Sequence, residues 1–133
     1  MKLKLPSLTL LTLLTLALLA CRTGDLFMMK RDEALSLYAS AIRWGSLETA
    51  ADFQNPAHRT RIDEAWMKNI HISSYDTVYT KSDPGSNILE QTVKIHYYIE
   101  PDGVDKTITD RQVWRYDDDQ GKWMLDTALP AFR

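Results

Sequence analysis

Leu89-Glu90-Gln91-Thr92-Val93-Lys94-Ile95-His96-Tyr97-Tyr98-Ile99 is turned back by Pro101-Asp102-Gly103 into Thr107-Ile108-Thr109-Asp110-Arg111-Gln112-Val113-Trp114-Arg115-Tyr116. In the first run Leu89, Val93, Ile95, Tyr97 and Ile99 share one parity. In the second, Ile108, Asp110, Gln112, Trp114 and Tyr116 stand opposite Thr107, Thr109, Arg111, Val113 and Arg115. A period of two in runs rich in Val, Ile, Thr, Tyr and Trp predicts half-buried strands, and Pro-Asp-Gly between them predicts an antiparallel hairpin. Two further strands flank this pair. One runs from Ile70 to about Thr80 and ends at Ser82-Asp83-Pro84-Gly85-Ser86. The other runs from Trp123 to Leu129, entered through the polar loop Asp117–Lys122 and stopped by Pro130.

Upstream the apolar period becomes helical. Leu35, Tyr38 and Ile42 recur on one stripe, widened by Leu37, Ala41 and Trp44, so a helix is expected from a cap at Asp32 to Arg43 with its stop at Gly45. Ser46 is a cap candidate for a short second helix that turns Leu47, Ala50, Ala51 and Phe53 inward. Asn55-Pro56 is expected to start a third, in which Ile62, Ala65, Trp66 and Ile70 face the core and Arg59, Arg61, Asp63, Glu64 and Lys68 face water. Helices followed by an antiparallel meander mean an α+β domain, three N-terminal helices packed on a curved four-stranded antiparallel sheet, over residues 32–133.

The first twenty residues read as an address. Met1-Lys2-Leu3-Lys4 is basic, and in the uncharged run Leu5 to Ala20 nine of sixteen residues are Leu. That run is shorter than the roughly 20 apolar residues that span a bilayer, and it suits a secretory signal over residues 1–20. Leu18-Leu19-Ala20-Cys21 resembles the lipobox of bacterial lipoproteins. The resemblance implies cleavage before Cys21, a diacylglyceryl group on its thiol, and, with Arg22 next, an outer-membrane address facing the periplasm in a Gram-negative host. Residues 21–31 are then expected to be the lipidated N-terminus and a linker that ends by packing Phe27 or Met28.

The 133 residues carry 16 Lys+Arg against 18 Asp+Glu, a net charge of -2, so there is no basic footprint for nucleic acid. One cysteine excludes an internal disulfide. All four Trp, six Tyr and three Phe lie beyond residue 25, enough for one core.

The order of elements over residues 32 to 130, with Tyr38-Ala39-Ser40-Ala41-Ile42-Arg43-Trp44-Gly45-Ser46-Leu47-Glu48 and late strands holding Trp114 and Trp123, resembles the NTF2-like superfamily, also called the ketosteroid-isomerase or SnoaL-like fold. The resemblance implies a cone with an interior pocket, and in the ketosteroid isomerases that pocket holds an Asp base with a Tyr and a protonated Asp as oxyanion donors. Tyr38 matches the family's first-helix tyrosine in its spacing to Gly45. Gln54-Asn55-Pro56-Ala57-His58 stands where such enzymes tend to carry acidic residues, a departure that counts against that chemistry.

Tyr38 and Asp110 are the weak catalytic candidates, and Tyr38, His96, Asp110, Gln112 and Trp114 the pocket-lining ones. Each has a structural alternative: a core tyrosine bonded at the sheet's edge, and a hydrogen-bond network tying sheet to helix. A buried Asp110 needs a partner, for which His96, Tyr98 and Arg43 are candidates. Asp63 sits in a charged helical stretch and reads as solvated. His58, His71 and His96 lack metal-ligand spacing, Asp117-Asp118-Asp119 reads as a hairpin turn, and neither a nucleophile elbow nor a phosphate loop is present, so no metal or cofactor is expected.

The expected function is a membrane-anchored cell-envelope lipoprotein acting as a non-enzymatic module that binds a protein or a small apolar ligand. A homodimer through the sheet is also expected if Tyr75, Tyr79, Tyr97, Tyr98 and Trp114 cover its outer face. The alternatives are a small isomerase, dehydratase or hydrolase with a pocket at Tyr38 and Asp110, and a structural or inhibitory envelope lipoprotein.

Overall fold

The computed structural model describes the backbone of residues 6–44 and 46–133 and side chains from Leu26 onward. The basic start at Met1–Lys4, the helix stop at Gly45 and the side chain of Cys21 lie outside the described residues.

The chain is α+β. Helix α1 (Pro6–Arg43) and the short helices α2 (Leu47–Ala51) and α3 (Glu64–Met67) precede a four-stranded antiparallel sheet of β1 (Ile70–Lys81), β2 (Ile88–Ile99), β3 (Lys106–Asp117) and β4 (Lys122–Leu125). The strands lie in sequence order, each hairpin pairing with the next. β2 is buried at Leu89, Gln91, Val93, Ile95, Tyr97 and Ile99, and β3 at Asp110, Gln112 and Trp114, so the parity grouping holds and the packing turns the Asp110 face of β3 inward. Gly103 and Gly121 close the two later hairpins with φ of 62° and 64°, a region that costs little without a Cβ. In the loop before β4, Asp117 Oδ1 accepts from the amides of Asp119 and Gln120, so this acidic run is a turn.

Three helical expectations are corrected. Asp32 does not cap α1, because residues 22–31 contain no proline, and Gly24 alone, at about 1 kcal/mol, does not stop a helix that is already propagating. The expected linker is therefore helical, and Phe27 packs from it onto Tyr116 and Trp123 at ring-centroid distances of 4.8 and 5.1 Å. Ser46 occupies the N-cap of α2, but its hydroxyl donates to Thr49 Oγ1 at 2.6 Å and bonds no amide.

The expected third helix is mostly irregular. The Leu125 amide donates to Phe53 O at 2.7 Å and the Asn55 amide to Leu125 O at 2.8 Å, drawing Gln54 into a parallel bridge on β4. The buried Gln54 side chain then bonds His58 O, both the hydroxyl and amide of Thr60, and Thr127 O. A continuous helix would break all of these. What remains is a 3-10 turn at Pro56–His58, capped by Asn55, and four residues of α3 capped by Asp63. Ala65 and Trp66 are exposed, contrary to the helical stripe.

β4 ends at Leu125, short of the expected Leu129, because Thr127 O and the Leu129 amide are bonded to Gln54 and Thr60. The tail then crosses the sheet end, where Phe132 meets Tyr97 at 4.9 Å. The core between α1 and the sheet is built around Tyr38, Ile42, Leu89, Ile95, Trp114 and Leu125.

Candidate functional site

Two places carry the chemistry, one inside the fold and one on its surface. The interior place follows from strand parity. Asp110, Gln112 and Trp114 alternate on the inner face of β3, Gln91 faces Gln112 across the β2–β3 ladder, and Tyr75 on β1 shares that face. Gln112 is the hub. Its Nε2 donates to Asp110 Oδ2 at 2.7 Å and to Tyr75 Oη at 3.0 Å, and its Oε1 accepts from Trp114 Nε1 at 3.0 Å and Gln91 Nε2 at 3.3 Å.

Tyr38 comes down from α1 onto this cluster. Its ring stands edge-on to Trp114 at 5.2 Å and to Phe53 at 6.0 Å, and its buried hydroxyl has no hydrogen-bond partner. Burial holds that phenol well above its ordinary pKa, with Asp110 and Tyr75 adding to the effect. Burial likewise pushes the Tyr75 phenol up to about 12 and raises the Asp110 carboxyl, which the Gln112 hydrogen bond partly opposes. Tyr38, Asp110, Gln112 and Trp114 thus lie in the buried interior, with aromatic edges beside them, and none of the four borders the cavities described below.

His96 does not join them. It lies on the opposite parity of β2, exposed, with Nδ1 2.9 Å from Thr107 Oγ1. Tyr98 stacks on His71 outside the sheet at 4.8 Å, and Arg43 is exposed, so the three expected partners of Asp110 are replaced by Gln112 of its own strand. Tyr75, Tyr97 and Trp114 face inward, leaving Tyr79 and Tyr98 as the aromatics on the outer face, so the expected outer aromatic surface is corrected. Gln91 and Tyr75 were missed as cluster members, although the parity of Gln91 with Leu89 and Val93 already marks it as inward.

The surface place is a trough between α1 and β4. A cavity of about 360 Å³ has apolar walls from Ala34, Leu37, Phe53 and Trp123, with Lys30, Glu33 and Lys122 also on its border. A second cavity of about 370 Å³ continues it past Leu37 and Phe53 to Trp44. Leu37 is 53% exposed and Trp44 81%, large apolar surfaces that a helix facing only water does not need. Trp123 is 3% exposed, and its indole Nε1 has no hydrogen-bond partner. Among the described residues no helix is long and apolar enough to cross a membrane, and no group of three or more His, Cys, Asp or Glu is placed to hold a metal.

No family model matches the chain, and no curated protein matches it. Among solved structures, it is similar to the solution structure of RPA3114, a SEC-C motif containing protein from Rhodopseudomonas palustris. The TM-score is 0.52 at 13% identity, over 68% of this chain and 72% of that one. At that identity the likeness concerns the fold alone. It corrects the family expectation: the similar structure is a SEC-C motif protein and not an NTF2-like one, and no family model supports membership among the lipoproteins.

Proposed function

We propose that this chain is a non-enzymatic binding module of the cell envelope, exported by its N-terminal apolar segment and held at a membrane through Cys21, with the α1–β4 trough as its binding surface. The observation that carries the reading is the trough itself, an open apolar channel ending at an 81% exposed Trp44, beside an interior already filled by Tyr38, Phe53 and Trp114. Its support for the membrane address is the basic start, the Leu-rich run and the cysteine that follows it. A tether concentrates the trough near its target, so a weak contact suffices.

A photocrosslinking amino acid placed at position 37 or 44 in cells tests the surface, with position 109 on the outer sheet face as the control. Adducts from 37 and 44 and none from 109 are the expected result. Absence of adducts at both trough positions would overturn the reading. The tether is tested by Cys21→Ala, which is expected to move the protein from the membrane fraction to the soluble one.

A second reading, a small isomerase, dehydratase or hydrolase, is favoured by the unpartnered Tyr38 hydroxyl and a buried Asp110 carboxyl whose pKa burial raises. It requires substrate to displace the Tyr38–Phe53–Trp114 contacts, and turnover lost in both Tyr38→Phe and Asp110→Asn with folding intact.

A further inference from the structure

We infer that the trough takes a single-chain phospholipid with a zwitterionic head, of the lysophosphatidylethanolamine class, an inference that rests on the trough being the binding surface. From Lys30 to Trp44 the helix rises about 21 Å, and the apolar channel follows that helix face through Leu37 as two adjoining cavities. An apolar channel drawn out along the helix in this way matches an extended acyl chain better than a compact ring system.

Charge sits at one end of it. Lys30 and Lys122 border the cavity nearer the start of β4, and among the described residues neither is ion-paired. Glu33, one turn along α1 from Lys30, is also without an ion-pair partner there. Asp52, the other carboxylate on the border, is engaged by Arg59 at 2.6 Å. Two free ammonium groups and one free carboxylate complement a head that carries a phosphate and an amine: the phosphate between Lys30 and Lys122, the amine at Glu33.

The other end, at Trp44, has no need of a charged group. A fatty acid would leave Glu33 unmatched beside its carboxylate, and a peptide would have to supply the same charge pair from side chains.

The test uses the full chain in phosphatidylcholine vesicles doped with lysophosphatidylethanolamine whose acyl chain carries a diazirine. After irradiation, peptide mass spectrometry is expected to place adducts on the segments that contain Leu37 and Phe53. Leu37→Glu, at an exposed position where folding is retained and checked by circular dichroism, is expected to abolish them. Lys30→Glu with Lys122→Glu should weaken labelling about tenfold through loss of the charge-assisted contacts. Unlabelled lysophosphatidylethanolamine should compete, and palmitate or lysophosphatidic acid should compete about tenfold less well.

Adducts that persist in Leu37→Glu, adducts confined to other surfaces, or equal competition by palmitate would each overturn the inference. Absence of labelling together with protein adducts at positions 37 and 44 in cells would overturn the lipid while leaving the binding surface standing. Absence of both would remove the surface as well.

Discussion

Replacing Gln112 with leucine puts the interior network at risk through its hub. Leucine fills most of the volume, so the cost comes from the polar groups left behind and little from a cavity. Trp114 is fully buried and Asp110 7% exposed, so the indole N–H that lost its acceptor and the carboxyl that lost its donor have no route to water. Each such orphan costs about 1–3 kcal/mol. The Tyr75 oxygen is a neutral acceptor that loses one donor, and the 3.3 Å bond from Gln91 is long, so these two add little.

The sum is about 2–6 kcal/mol, a large part of the roughly 5–15 kcal/mol that holds a domain folded. Urea unfolding followed by tryptophan fluorescence measures it, with Arg115→Ala as the reference. Arg115 is half exposed and paired with Asp126 at 2.7 Å on the outer face, and its loss should stay within about 1 kcal/mol. If Gln112→Leu costs no more than Arg115→Ala, the network does not hold the sheet to the helix, and the reasoning from buried orphans fails here.

Asp110→Asn should show a pH-dependent gain. Burial raises the Asp110 carboxyl above its ordinary 3.8, so above that value the folded chain holds more proton than the unfolded one. The stability it contributes is complete below 3.8 and is lost as pH rises through the raised folded value. Asparagine can still accept from Gln112, so the variant should match the parent near about pH 3.5 and exceed it near about pH 7 in urea midpoint; a variant that falls behind as pH rises refutes this. Tyr38→Phe deletes a buried hydroxyl without a partner and should leave stability unchanged or raise it by up to about 1 kcal/mol, so a loss of more than that in the same assay would reveal a partner. Phe27→Ala should cost about 2 kcal/mol and speed amide exchange in α1 around residue 27, because that ring docks the helix on Tyr116 and Trp123; unchanged exchange would mean the extension does not dock.

Much of the sheet was legible because a strand's side chains alternate by geometry. Once Trp114 is placed inward, Asp110 and Gln112 must follow, and the same rule turns His96 outward from Ile95 and Tyr97, which excludes it from any interior pocket. The interior cluster was legible to that extent, and Gln91 obeys the same parity, whereas Tyr75 faces inward only because the register of β1 shifts between Ile72 and Ser74. The trough was not legible, since Leu37, Phe53 and Lys122 are far apart in sequence and acquire meaning only when α1 lies along β4. Trp44 looked like an extension of the core stripe, and only the end of α1 at Arg43 leaves it standing in water.

By itself, the amino-acid sequence determined the four strands, their hairpins, which residues of β2 and β3 share a face, and the α+β class, because each of these depends on neighbours within a few residues. The tertiary structure alone decided the path of residues 54–69, where the local helical period lost to the bond Gln54 donates to Thr127 O and the bond Phe53 O accepts from the Leu125 amide. It also decided that Tyr38 packs on Trp114 and Phe53 in the interior and that the open apolar surface lies between α1 and β4. Those outcomes follow from which elements pack together, and packing is settled by the whole chain's burial of apolar surface and satisfaction of buried polar groups, quantities no short window of sequence contains.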